Sequence, residues 1–175
     1  MPQTEILNQL AYGNPGDFFD NSPRRALSYI IESADPLNNV FARVFTHTTG
    51  QEDLVEAGGT GVFAGFLVNN KEHVLEGAAT GTLDPRNYLK NGTVASMCKM
   101  GTIYAKIPAP AVVGETVLYL EADGSLKTVA PGTALLAGEK FANAVVERFI
   151  ASELDPIDGL YLAVITITDA PLRSV

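Results

Sequence analysis

Tryptophan is absent from this chain, cysteine occurs once and histidine twice. The single cysteine, Cys98, permits no internal disulfide, which fits a reducing compartment or a protein that draws its stability from assembly. A metal centre would want three or four ligands, and His47 and His73 stand in no HxH, HxxxH or HxE spacing. Basic residues are scarce: 12 Lys and Arg face 20 Asp and Glu, for a net charge of −8. The one basic cluster is Arg24-Arg25, so a phosphate backbone finds no matching surface and no nucleic-acid partner is expected. No apolar run reaches the roughly 18 to 20 residues that span a bilayer. The first residues, MPQTEILNQLAYGNPGDFF, lack the basic region and apolar run of a signal peptide. No membrane partner is expected either.

Catalytic constellations are missing as well. A serine nucleophile wants a setting such as GxSxG on a strand-to-helix elbow, and Ser28, Ser33, Ser96, Ser125, Ser152 and Ser174 have none. The carboxylate pairs Asp17 with Asp20, Glu52 with Asp53 and Asp155 with Asp158 sit among turn formers, where Asp caps and solvates. Gly58-Gly59 forms neither GxGxxG nor a P-loop. Cys98, flanked by Met97 and Lys99 in an alternating run, reads as a buried thiol. Met97 to Met100 is similar to the lysine turn of biotinyl domains, but that lysine must stand at a hairpin tip and these residues read as strand. The expectation is therefore no catalytic, metal or cofactor-binding residue, and no cofactor.

What is present is apolar β-forming sequence, 46% hydrophobic, with 16 Gly and 10 Pro to supply turns. Leu160 to Thr168 is the clearest strand, β-branched through its second half with no breaker. Gly61 to Asn69 is a nearly continuous apolar run that suits a central strand, and Gly65 within it marks a bulge or a close backbone approach. Val40 to Thr46 and Ala144 to Ser152 are further strands, and Ala26 to Glu32 is a strand or a short helix. Residues 47 to 61 and Pro131 to Gly138 read as loops. Lys71 to Glu76 reads as a short strand, and Thr82 to Asn91 as a loop or helical turn. Gly92 to Val129 reads as a meander of three short runs. Its Asp123-Gly124 pair signals a type I′ hairpin and a projection toward solvent or a neighbour. Seven to nine strands at about ten-residue spacing predict an all-β fold, a jelly-roll-like sandwich or barrel. Residues 1–25, with poor periodicity, form an extended irregular N-terminal arm, and residues 26–175 a single β-rich domain. Apolar residues in such an arm need a partner surface, either on their own domain or on another subunit.

Four stretches, in order, carry a family resemblance: GGTGVFAGFLVN (58–69), YLKNGTVASMCKMGTIYAKI (88–107), VVGETVLYLEADGSLKTV (112–129) and GLYLAVITIT (159–168). They resemble the structural cement, or head decoration, proteins of tailed bacteriophages across roughly residues 40–168. Within the arm, Asp17 and Ser22-Pro23 are the matching positions. The resemblance implies a β-rich fold that forms homodimers or homotrimers on the outside of the capsid and bridges neighbouring subunits of the major capsid protein. It also implies a virion location, after assembly in the host cytoplasm, and no catalysis. A clamp needs area, and aromatic and Arg anchors carry a disproportionate share of binding energy. The candidates are Tyr12, Phe18, Phe19, Arg24 and Arg25 in the arm, with Arg86 and Tyr88 before the meander. Ordinary intramolecular packing is the competing reading of each. Two alternatives stand beside the cement function. One is a carbohydrate- or receptor-binding β module of a virion tail or fibre, which the absence of Trp disfavours. The other is an enzyme on a β-barrel scaffold, disfavoured by the missing constellation.

Overall fold

A computed structural model describes residues 13–69, 88–108, 110–156 and 158–168. Nine strands are described: β1 Arg25–Ile31, β2 Val44–His47, β3 Leu54–Ala57, β4 Phe63–Leu67, β5 Val94–Ile107, β6 Thr116–Leu120, β7 Leu126–Val129, β8 Glu139–Leu154 and β9 Tyr161–Ile167. Their hydrogen-bonded order is β1-β3-β2-β4-β5-β9-β8-β6-β7, and β5 also pairs back to β1. That last ladder closes β1, β3, β2, β4 and the first half of β5 into a five-stranded barrel. The second half of β5 leads a curled sheet through β9, β8, β6 and β7. The all-β expectation is met in its barrel form.

β5 is the shared wall, and its sequence explains how it serves two cores. Ala95 and Met97 point into the barrel interior with Ile31, Phe45, Val55 and Leu67. Farther along, Ile103, Ala105 and Ile107 point into the second core with Val117, Tyr119, Val146 and Ile165. The exchange of faces follows from one extra residue: Arg25 pairs with Met100 and Ala26 with Cys98, which leaves Lys99 as a β-bulge. Gly101 follows at φ 139°, a value open to glycine, and a Cβ there would lie 3.2 Å from Cβ of Arg24. The glycine therefore bends the strand without breaking it. Sequence punctuation suggested separate short runs here; the structure has one 14-residue strand.

The second core is completed by the outer wall of the barrel. Ala42 and Val44, before and within β2, and Phe66 and Val68, within and after β4, are buried in it beside the residues of the curled sheet. The Asp123-Gly124 turn belongs to this junction and does not project. Val44 N–H donates to the Gly124 carbonyl at 3.0 Å, Gly58 N–H to the Val44 carbonyl at 2.9 Å and Gly59 N–H to the Glu121 carbonyl at 2.7 Å. Arg43 donates to the Asp123 carbonyl at 3.1 Å and pairs with its carboxylate at 3.4 Å. The turn is not type I′ either: Gly124 has φ 72°, while Asp123 is not among the positive-φ residues.

Other departures have local causes. Ala42 adopts φ 64°, so β2 starts at Val44 and not at Val40. Leu54–Ala57, read as loop, is a strand because Val55 and Ala57 bury alternately against the barrel interior. Gly65 is the expected close approach: a Cβ there would sit 2.7 Å from the Cys98 carbonyl oxygen. The expected strand at Lys71 to Glu76 lies outside the described residues, as does all but the end of Thr82 to Asn91.

Candidate functional site

The arm makes its own turn before it meets the sheet. Asp17 N–H donates to the Asn14 carbonyl at 2.9 Å, the Asp17 carboxylate accepts from Asn14 N–H at 3.1 Å, and Gly16 takes φ 85° after Pro15. From there residues 16–19 lie along β5. Gly16 N–H donates to the Tyr104 carbonyl at 2.8 Å, Tyr104 N–H to the Asp17 carbonyl at 2.9 Å, and Phe19 N–H to the Thr102 carbonyl at 2.9 Å. Phe18 forms an antiparallel bridge with Ile103. Asn69 N–H donates to the Gly16 carbonyl at 2.9 Å, which ties the segment to the end of β4 as well. Of the two expectations for the arm, its described part takes docking on its own chain.

Alternation along this short strand sends neighbouring side chains opposite ways. Phe18 packs down on the second core, and the Arg24 guanidinium lies 4.3 Å from its ring centroid. Phe19 turns outward, 38% exposed, and meets Tyr104 edge-to-face at 5.6 Å. Arg148 of β8 stands 5.8 Å from the Phe19 ring. Each Arg–aromatic contact at such a surface is worth about 0.5–1 kcal/mol. The structure thus makes two separate aromatic–guanidinium groups, Phe18 with Arg24 against the second core and Phe19 with Tyr104 and Arg148 on the outward side, with exposed Arg25 following as the first residue of β1. Tyr88 lies apart, half-buried and bridged to Val40. Tyr12 and Arg86 are outside the described residues.

Tyr104, Arg148 and Lys106 belong to this region and were not among the sequence candidates. Tyr104 and Lys106 alternate with the core residues of β5, so their outward face was readable; their neighbours were not. Lys106 Nζ lies 2.5 Å from both the Asp155 and Asp158 carboxylates and pins the β8–β9 turn to β5. Burial alone would lower its pKa; the hydrogen bonds to Asp155 and Asp158 outweigh that and raise it.

The residues weighed for chemistry are placed in structural roles. Cys98 is buried, its thiol donates to the Met100 carbonyl at 3.2 Å, and burial pushes its pKa up to about 11. A thiol so placed stays protonated at neutral pH. Lys99 occupies the bulge of β5 with Nζ 5.7 Å from the Tyr29 ring, not a hairpin tip. His47 stacks edge-on against Tyr29 at 4.8 Å. His73 is outside the described residues. Among the described residues no group of three His, Cys, Asp or Glu side chains is placed to hold a metal, and no helix is long and apolar enough to cross a membrane. The surface does carry exposed apolar side chains, Val112 and Val113 after β5 and Leu136 before β8, of the kind that mark protein contacts when clustered.

Comparison with known proteins bears on the family and the fold. The family described as "Structural cement protein (E217 gp24/Pam3 gp6)" matches residues 1–164. No curated protein matches. Among four matching chains of solved structures, one belongs to "The capsid of Myoviridae Phage XM1". It aligns with a TM-score of 0.55 at 14% identity, over 95% of this chain and 96% of its own. At that identity the likeness concerns the fold.

Proposed function

We infer the function from one premise: this chain belongs to the structural cement protein family. The family makes it a structural protein of the phage capsid, in a role that is not enzymatic. In the finer reading it binds the outer surface of the head and clamps neighbouring subunits of the major capsid protein, as a homodimer or homotrimer. A protein that binds only the assembled shell stabilises that state by mass action. One observation carries the clamp: Phe19, Tyr104 and Arg148 form an outward-facing aromatic–guanidinium surface that remains partly open to solvent. Aromatic and Arg side chains are the residue types on which interface energy concentrates. Arg25 and Tyr88 are secondary candidates on the same grounds.

The test uses phage shells lacking this protein. Purified chain is added, binding is followed by co-sedimentation, and the decorated particle is imaged by electron cryomicroscopy. Wild-type chain should decorate the exterior and raise the temperature at which shells disrupt. Phe19→Ala with Arg148→Ala should weaken binding at least tenfold, since a hot-spot pair is worth about 2 kcal/mol or more. Density elsewhere in the virion, or unchanged binding by the double variant, would remove the clamp at this surface.

A further inference from the structure

The barrel is closed at one end only. β1 pairs with β5 along Arg25 to Ile30, but with β3 only at Ile30 and Ile31. Hydrogen bonds give the direction of each residue. Ile31 N–H donates to Thr93 on the β5 side, and Ile30 N–H to the Asp53 carbonyl on the β3 side. By alternation Leu27 and Tyr29 face β5, while the N–H and C=O groups of Ala26 and Ser28 face away from it. No described strand reaches those four groups. The edge is also undefended: Ala26, Leu27 and Ser28 are exposed, with no proline, charge or bulge among them, and Leu27 leaves 43% of its surface open. Proteins commonly protect such an edge by those devices or cover it.

We propose that this edge is a self-association site, where two copies of the chain pair their β1 strands antiparallel about a two-fold axis at Leu27. Ala26 of each copy then faces Ser28 of the other, and both pairs exchange their N–H and C=O groups, so all four orphans of each copy are satisfied. The two Leu27 side chains meet at a non-hydrogen-bonded position, with Cα atoms about 4.5 Å apart. Charge complementarity selects a second copy as the occupant. At one end of the open edge stands Arg24; at the other stand the exposed acidic side chains Glu52 and Asp53, the second of which holds Ile30 through its carbonyl. Antiparallel pairing ends the ladder where β3 begins, so Arg24 of one copy arrives next to Glu52 and Asp53 of the other. A parallel arrangement would set like charge against like. The inference deepens the oligomeric part of the reading above and rests on that part alone; it does not need the capsid contact.

The experiment is cysteine cross-linking of the full chain, with sedimentation velocity as the second measurement. Leu27→Cys should form a disulfide-linked dimer under mild oxidation at least tenfold faster than Ala26→Cys or Ser28→Cys. In the proposed register the latter positions lie about 8 Å from their own copies, beyond the reach of a disulfide. Cys98 is buried and does not compete. Ser28→Pro removes an N–H that bonds nothing among the described residues, so the variant should keep its β circular dichroism and sediment as a monomer. Arg24→Glu should weaken the dimer, and adding Asp53→Arg should restore it. Equal cross-linking at all three positions, or a persistent Ser28→Pro dimer, overturns the proposal. So does a wild-type monomer whose shell binding is abolished by Ser28→Pro, because the edge then takes a capsid strand. A Ser28→Pro monomer that still decorates shells supports it. Failure of wild type to bind shells removes the capsid reading and leaves the cysteine pattern to decide this one.

Discussion

Replacing Gly124 by alanine should loosen the curled sheet from the barrel, and the size of the effect can be worked out. Gly124 has φ 72°, so an L residue pays roughly 1–2 kcal/mol for the left-handed conformation. Its new Cβ would also be driven into the Val44 carbonyl oxygen and would approach the Gly58 nitrogen to 2.8 Å. Relief of that contact displaces the turn, which strains the Val44 to Gly124 and Gly59 to Glu121 hydrogen bonds. Losing about one of them adds roughly 1 kcal/mol, and an orphaned buried group costs more. Gly132 is the matched control: its φ is 82°, but nothing lies within 4 Å of a Cβ built there. Both variants carry the left-handed penalty, and only Gly124→Ala carries the steric one. The excess is about 2 kcal/mol, or about 4–8 °C in Tm for a chain of this size. Thermal unfolding followed by circular dichroism, at fixed protein concentration, gives the comparison. Hydrogen exchange at the Val44 and Gly59 amides reports whether the junction itself has opened. Equal Tm shifts for the two variants would refute the claim that this turn docks on β2.

Three further outcomes are expected. A thiol reagent should modify Cys98 in native protein only at the rate of opening and immediately in denaturant; prompt native reaction would contradict its burial. Stability should fall in alkali. Burial pushes the Cys98 thiol up to about 11, and burial with the Glu121 carboxylate pushes Tyr119 up to about 12, from ordinary values of 9.0 and 10.0. Folded values above unfolded ones mean a contribution that is complete below pH 9 and is lost as pH rises through 11 and 12. Each group accounts for about 2–3 kcal/mol, and Tyr119→Phe should flatten the upper part of a urea-denaturation profile taken from pH 8 to pH 12. Finally, Phe18→Ala should lower stability by about 2–4 kcal/mol as a cavity under the arm, whereas outward-facing Phe19→Ala should cost less than about 1 kcal/mol. Similar losses for the two would mean that the pair does not alternate as described.

Much of the fold was legible because strands declare themselves locally. Leu160 to Thr168 and Gly61 to Asn69 held as β9 and β4 with trimmed ends, and Gly65 was recognisable as a close approach from its place in an apolar run. β3 was missed because four residues between glycine-rich loops carry too short a pattern. The split reading of β5 failed for a different reason: glycine marks a break and a bend alike, and only the two cores on either side of Gly101 tell them apart. The candidate surface was partly readable. Phe18, Phe19 and Arg24 stood out as aromatic and Arg residues in an irregular arm, but Arg148 lies over a hundred residues away in sequence and meets Phe19 through two strand pairings.

By itself, the sequence determined the β class, through alternation and β-branched runs. Its motif order was enough to point to the cement family. Tertiary structure alone decided that the Asp-Gly turn is a joint and not a projection, since the same dipeptide serves either purpose until its neighbours are known. It also decided that one extra residue at Lys99 hands β5 from one core to the other, and that no described strand pairs the outward backbone groups of Ala26 and Ser28. An edge is defined by the strand that is not beside it, and no local pattern of side chains records that.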